Sequence, residues 1–176
     1  MAEANEKALA NRLLRRVEAH RVAAGDEDGR GELNVFRGPR VLESGSSLVA
    51  KENQKATRTQ LVNTVRLDTF VREHSIPGID LVKLDVERYE VQAVKGMAGL
   101  LGGHKPAMLV EAFSTENLLE IADLLAPHGY EFAVLDDLAQ RAHVGDPDAH
   151  EEGRNVLFAP WPPERLRTFF DGIPPL

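Results

Sequence analysis

The run IDLVKLDVERYE, Ile79–Glu90, carries the strongest structural signal in this chain. It begins as a mainly apolar segment, Ile79–Leu84, and becomes charged from Asp85 onward. Such a segment suits a strand of a parallel sheet with both faces covered, because apolar residues there need not alternate with polar ones. Ligands of these sheets bind beyond the carboxyl ends of the strands. Asp85 and Glu87 therefore fall where an open α/β enzyme has its chemistry.

Segments typical of strands and helices alternate on both sides of this run. Strands are predicted at Arg21–Gly25, Glu32–Phe36, Thr64–Leu67, Pro106–Phe113, 130–135 and 155–159. Helices are predicted at Glu3–His20, 68–73, Glu87–Lys95 and Thr115–Pro127, with Gly96 as a left-handed cap of the third. The polar segments 37–60 and 136–154 are interpreted as loops. This alternation predicts right-handed crossovers and an α/β sheet with a helical layer on each face.

Composition excludes several classes of protein. The 176 residues suffice for one domain. With 21 basic and 28 acidic residues, a net charge of −7 argues against nucleic acid as a partner. The absence of cysteine excludes disulfides, zinc–thiolate sites and thiol nucleophiles. Neither a membrane span nor a secretory signal is predicted, since no long apolar stretch occurs, and the expected compartment is the cytoplasm.

The same run resembles the signature of FkbM-type S-adenosylmethionine-dependent methyltransferases, approximately I-D-h-h-K-h-D-h-E-G-x-E, where h is hydrophobic. Other segments resemble further parts of that family in the same order, namely Val22–Phe36, Val65–Phe70, Val94–Met97, Pro106–Glu111, His128–Tyr130 and Asn155–Pro160. No single segment is decisive, but their order and spacing together are specific.

The resemblance implies a Rossmann-like class I methyltransferase sheet in three layers. The sheet would be mostly parallel, with an antiparallel carboxyl-terminal edge formed by its sixth and seventh strands. A partial methyltransferase domain would cover residues 1–160, followed by a proline-rich, irregular tail at residues 161–176.

Two departures from the family pattern stand out. Arg88 occupies the position of the signature glycine, a residue that permits close backbone approach or a positive φ. The glycine-rich loop that cradles the methionine end of the cofactor, together with the first strand, has no counterpart before Glu3. Without its first strand, the sheet would expose an edge at 79–85, and exposed edges seek another chain. We therefore expect a homodimer or aggregate, unless the tail or the 37–60 segment covers that edge.

Candidate catalytic residues follow from the chemistry of methyl transfer to a hydroxyl. An in-line displacement needs positioned reactants and benefits from a base. Asp85 is the first candidate for base or positioning group, with helix capping as the alternative role. Glu87 and Glu111 complete the candidate set, although a helix-turn carboxylate and a solvated strand end are equally simple explanations. Lys83 would need an acidic partner if buried, either Asp85 or Glu111.

For the cofactor, the resemblance implies S-adenosylmethionine. An acidic residue after the second strand of a doubly wound fold binds ribose hydroxyls, and Glu3 resembles that residue. Asp26, just after the third strand, would lie near the adenine. The alternatives are a frayed terminus for Glu3 and a turn former for Asp26.

The expected reaction is O-methylation of a small-molecule or sugar hydroxyl, with that acceptor as the partner and neither nucleic acid nor membrane involved. Two alternatives remain open. The chain could be a non-catalytic remnant or interaction module that keeps the fold, or an α/β enzyme in which Asp85, Glu87 and Glu111 hold a cation such as magnesium.

Overall fold

The computed structural model describes residues 17–35, 46–49, 56, 58–136, 139–151 and 154–172. Eight strands lie in these ranges: β1 (Ala23–Ala24), β2 (Gly29–Val35), β3 (Arg58–Val65), β4 (Leu81–Leu84), β5 (Ala107–Glu111), β6 (Glu131–Asp136), β7 (Arg141–Val144) and β8 (Asn155–Ala159). The α-helices in these ranges are α1 (Leu67–Glu73), α2 (Glu90–Lys95), α3 (Ala98–Gly103), α4 (Thr115–Leu125) and α5 (Pro163–Asp171). Single 3₁₀ turns lie at Ala126–His128 and Asp148–Glu151.

Two predictions at the amino-terminal side fall largely outside the described residues. The helix predicted at Glu3–His20 lies mostly on residues 1–16, and residues 17–20 are not helical. The loop predicted at 37–60 ends early, because β3 begins at Arg58. Within that segment, Ser47 forms a bridge with Asn34 of β2.

The strands form two sheets. The smaller has the order β1-β3-β2, and the larger has the order β4-β5-β8-β6-β7. Strands and helices alternate through most of the chain, so the predicted mixed α/β fold is confirmed.

The predicted predominance of parallel pairing is wrong for the described strands. Only β1 with β3 and β4 with β5 pair in parallel, while the four remaining pairings are antiparallel. The predicted antiparallel pairing of the sixth and seventh strands is confirmed, since β8 pairs with β6 in this way. However, β8 is not the edge, because it lies between β5 and β6. Val156 and Phe158 of this strand are buried because they face the core that the helices cover. The segment 136–154, interpreted as a loop, supplies the more polar edge strand β7 instead.

One face of the larger sheet carries the core. Apolar side chains of its strands are almost completely buried there, namely Met108, Val110, Val134, Val156 and Phe158. Helices α2 to α4 pack against this face through Val94, Leu101, Leu118, Ile121 and Leu125. The hydroxyl of Tyr130 donates to the carbonyl oxygen of Pro106 over 2.8 Å, and burial raises the pKa of Tyr130 to about 12. Packing of the helices on this face holds β4 and β5 in place, and with them the residues at the carboxyl ends of these two strands.

The described part of the tail, residues 161–172, is mostly helical, contrary to the predicted irregular structure. Helix α5 follows Pro162 and begins with Pro163, and proline suits the first helical position because its missing amide hydrogen would have no partner there. The helix contacts β6 and β7, and Leu166 is fully buried. Pro162 and Pro163 therefore stand at the start of a helix and do not prevent one. No helix among the described residues is both long and apolar enough to cross a membrane.

The smaller sheet meets the helical layer at two glycines. On the side of the smaller sheet, the amide of Gly25 donates to the carbonyl oxygen of Val65 at the end of β3. On the side of the helices, the amide of Asp68 in α1 donates to the carbonyl oxygen of Gly96. A side chain at Gly96 would collide with the backbone of Gly25. Gly96 has a φ of −76°, so the predicted left-handed cap is wrong. The residue is needed here for close approach of two backbones and not for a positive φ.

Candidate functional site

The carboxyl ends of β4 and β5 bring two of the predicted acidic residues together. The parallel register pairs Lys83 with Leu109 and Leu84 with Val110, so Asp85 and Glu111 leave the sheet side by side. Burial raises the pKa of Glu111, and a hydrogen bond with Asp85 and the charge of that carboxylate raise it further. The charge of Glu87 acts in the same direction, whereas that of Lys83 opposes it. Glu111 therefore holds a proton more readily than an isolated glutamic acid.

Lys83 pairs with the predicted partner but is not buried. Its Nζ lies 3.6 Å from Oδ2 of Asp85, and the two side chains are 44% and 50% exposed. The expectation of a buried ammonium fails because β4 pairs only with β5 among the described strands. Exposed ion pairs of this kind contribute at most about 1 kcal/mol, so this pair adds little to the stability of the fold.

The turn after β4 is held by Glu90. This carboxylate is completely buried, and its Oε1 accepts hydrogen bonds from the amides of Val86 and Arg88, at 3.1 and 3.3 Å. Helix α2 begins at Glu90, with Tyr89 at the N-cap position and no side-chain cap. Asp85 and Glu87 therefore do not cap this helix, and Glu90 is the structural acid of the signature.

Arg88, at the position of the signature glycine, has a strained backbone conformation. Its φ is 77° and that of Glu87 is 54°, both in the left-handed region that glycine adopts without strain. For other residues that conformation costs roughly 1–2 kcal/mol. The backbone of the turn therefore has the left-handed conformation that the glycine of the family signature would adopt without strain, although the residue here is Arg88.

Arg88→Gly is expected to stabilise the fold by about 0.5–1 kcal/mol, because relief of left-handed strain outweighs loss of one exposed cation–π contact. Urea unfolding would measure the change. Arg72→Gly in α1 is the matched control and should lose about 1 kcal/mol, since glycine weakens an ordinary helix. Equal or lower stability for Arg88→Gly would mean that the turn is not strained.

Asp26 lines a polar cavity of about 170 Å³ at the smaller sheet. Glu27, Arg30, Leu48 and the ring of Tyr89 lie in the same wall. Burial raises the pKa of Tyr89, and the charges of Asp26 and Glu27 add to that effect. The cavity is smaller than the roughly 300–1,000 Å³ of typical ligand sites. Glu3 lies outside the described residues.

Sequence reasoning did not single out Tyr89, Phe113 or Arg154, which lie near the candidate residues, and it noted Arg88 only as a departure from the signature. The guanidinium carbons of the two arginines lie 4.8 and 5.6 Å from the ring centre of Phe113, just beyond Glu111. The only sequence signal among them was the replacement of the signature glycine by Arg88. Within the described ranges no group of three acidic or histidine side chains is arranged to hold a metal ion, and this includes Asp85, Glu87 and Glu111, the residues of the magnesium alternative.

Comparison with protein families decides the relationship. The family model of the methyltransferase FkbM domain matches residues 2–132, which include both predicted acidic strand ends and the turn between β4 and α2. The chain belongs to the FkbM methyltransferase family. The matched region ends within β6, so β7, β8 and α5 follow it.

A solved structure agrees at the level of the fold. The crystal structure of methyltransferase FkbM from Methylobacillus flagellatus KT matches with a TM-score of 0.55 and 16% sequence identity. The match covers 89% of this FkbM-family chain but 32% of the other, so the present chain spans about a third of that protein's length. No curated protein matches the chain.

Proposed function

We propose that this FkbM-family chain forms the acceptor side of an S-adenosylmethionine-dependent methyltransferase that acts on a hydroxyl of a small molecule or sugar. The observation that carries the proposal is the carboxyl pair Asp85–Glu111, at the edge where α/β enzymes bind their ligands. Family membership and the likeness to a solved FkbM structure support a Rossmann-like class I sheet as its scaffold.

The proposed chemistry assigns distinct tasks to the two carboxyl groups. S-adenosylmethionine, when bound, supplies a methyl group on a sulfonium. Glu111, with its raised pKa, takes the proton of the acceptor hydroxyl, since a base works best when its pKa approaches the working pH. Asp85, ion-paired with Lys83, accepts a hydrogen bond from that hydroxyl and orients it. The charge of Glu87 helps to hold the pKa of Glu111 high.

For the cofactor, the proposal places the adenine end in the cavity beside Asp26 and Tyr89. Glu3 would bind the ribose, as the family resemblance implies. The methionine end lacks its glycine-rich loop in the present sequence.

The isolated 176-residue chain is expected to bind S-adenosylmethionine weakly, with a Kd near the millimolar range, or about −4 kcal/mol. Asp26→Ala should weaken this binding further, whereas Asp123→Ala, at an exposed position of α4, should not. Calorimetry on the three proteins would measure it. Micromolar affinity for S-adenosylmethionine would show that another segment replaces the glycine-rich loop. Equal affinity of the wild type and both variants would show that Asp26 does not contact the cofactor.

The unpaired edge of β4 favours a second role, as an interaction module. Among the described strands β4 pairs only with β5, and its Leu81 is 62% exposed. Exposed strand edges present unpaired amides and carbonyls to other chains. This edge is a candidate for the homodimer predicted from the sequence.

Self-association through this edge is expected to appear in light scattering, with slow amide exchange at residues 79–85. Leu81→Lys should shift the protein toward the monomer, because charge on an edge strand opposes pairing. Leu119→Lys, at an exposed leucine of α4, is the control and should not. A monomer whose amides at 79–85 exchange rapidly would exclude pairing of this edge.

A further inference from the structure

Two arginines from distant parts of the chain share one aromatic ring. The guanidinium carbon of Arg88 lies 4.8 Å from the centre of the Phe113 ring, and that of Arg154 lies 5.6 Å from it. Both distances are within the range of a cation–π contact. Phe113 follows Glu111 by two residues, so this cluster borders the proposed catalytic pair.

Backbone contacts fix the cluster. The amide of Ala112 donates to the carbonyl oxygen of Arg154 over 2.9 Å. The carbonyl oxygen of Ala112 accepts a hydrogen bond from Nε2 of the buried His150 over 2.8 Å. The chain entering β8 is therefore tied to the chain leaving β5, which places Arg154 beside Phe113.

The two charges have no acidic partner in the part of the chain that the structure describes. Both arginines are exposed, and neither forms an ion pair with a described carboxylate. Arg88 is also held in a left-handed conformation. Two neighbouring cations repel each other, and a bound anion would remove that repulsion.

We propose that Arg88 and Arg154 bind an anionic group, a carboxylate or a phosphate, on the acceptor of the methyl group; the assignment to an acceptor rests on the proposed function. Contact with the Phe113 ring positions both guanidinium groups, and a guanidinium group forms paired hydrogen bonds to an oxyanion through its N–H donors. Asp85 and Glu111 repel an anion. The acceptor therefore binds with its charged end at the arginines and its hydroxyl at the carboxyl pair.

The test is an NMR titration of the full chain with sodium phosphate and with sodium acetate at constant ionic strength, following the side-chain Nε–Hε signals of both arginines. We expect saturable shifts, with phosphate if the acceptor is phosphorylated and with acetate if it is a carboxylic acid. Arg88→Gly and Arg154→Gln should each weaken binding at least about tenfold. Arg88→Gly restores the residue that the turn favours, so its loss of binding would not reflect unfolding.

Arg165→Gln is the matched control, because Arg165 also stacks on an aromatic ring, 4.6 Å from the centre of Trp161. Its anion affinity should equal that of the wild type. Absence of saturation in the wild type, or equal weakening by Arg165→Gln, would overturn the anion site. Failure of S-adenosylmethionine binding alone would overturn the proposed function and leave the anion site standing.

Discussion

Gly96→Ala is expected to abolish folding or to lower the free energy of unfolding by more than about 4 kcal/mol. A Cβ atom at this position would lie 1.9 Å from the carbonyl oxygen of Gly25. Neither atom belongs to a flexible side chain, so relief requires the two backbones to separate. That movement would break the hydrogen bond from Asp68 to Gly96 and detach the smaller sheet from α2. Urea unfolding followed by circular dichroism measures the loss.

Gly102→Ala supplies the control for this experiment. Gly102 lies in α3, and a Cβ atom added there would meet nothing within 4 Å. Alanine at this position should raise stability by about 0.5–1 kcal/mol, because it favours the helix and restricts the unfolded chain. If the free energy of unfolding of Gly96→Ala lies within about 1 kcal/mol of the wild-type value, the close approach of the two glycines does not hold the smaller sheet against α2.

Asp85→Asn and Glu111→Gln are each expected to lower methyl transfer by about 10²–10⁴-fold, the usual contribution of a positioned acid or base. Formation of S-adenosylhomocysteine would be measured with a panel of hydroxyl acceptors, including sugar phosphates and hydroxy acids. Glu120→Gln is the control: its carboxylate pairs with Lys95 at 3.3 Å on the surface, away from the strand ends. If either variant transfers methyl groups at the wild-type rate, the substituted residue has no role in the reaction.

Stability provides a second readout for Glu111. Because the pKa of Glu111 is higher in the folded protein than its ordinary value, the folded state binds this proton more tightly than the unfolded state. The stabilisation is present below the ordinary pKa and is lost as the pH rises through the raised pKa. Glu111→Gln should therefore lose less stability across this window. A variant that gains stability at neutral pH but loses activity marks a functional residue instead of a structural one.

The placement of the two candidate carboxylates could be predicted because each one stands at the end of a strand. A mainly apolar run that ends in Asp85, and another that ends in Glu111, place both carboxylates at one edge of any parallel pair. Local pattern also indicated the turn after β4. It did not show that Glu90 supports that turn or that Arg88 would adopt a positive φ. Both depend on which backbone amides of the folded turn need a hydrogen-bond acceptor.

The sequence by itself determined the mixed α/β fold, the FkbM relationship and the acidic strand ends, because these depend on residues close together in the chain. Tertiary structure alone decided that β8 is central, that Lys83 is exposed and that Arg88 and Arg154 meet over Phe113. Each depends on contacts between segments far apart in sequence. Burial and charge pairing are properties of those contacts, so no local pattern specifies them.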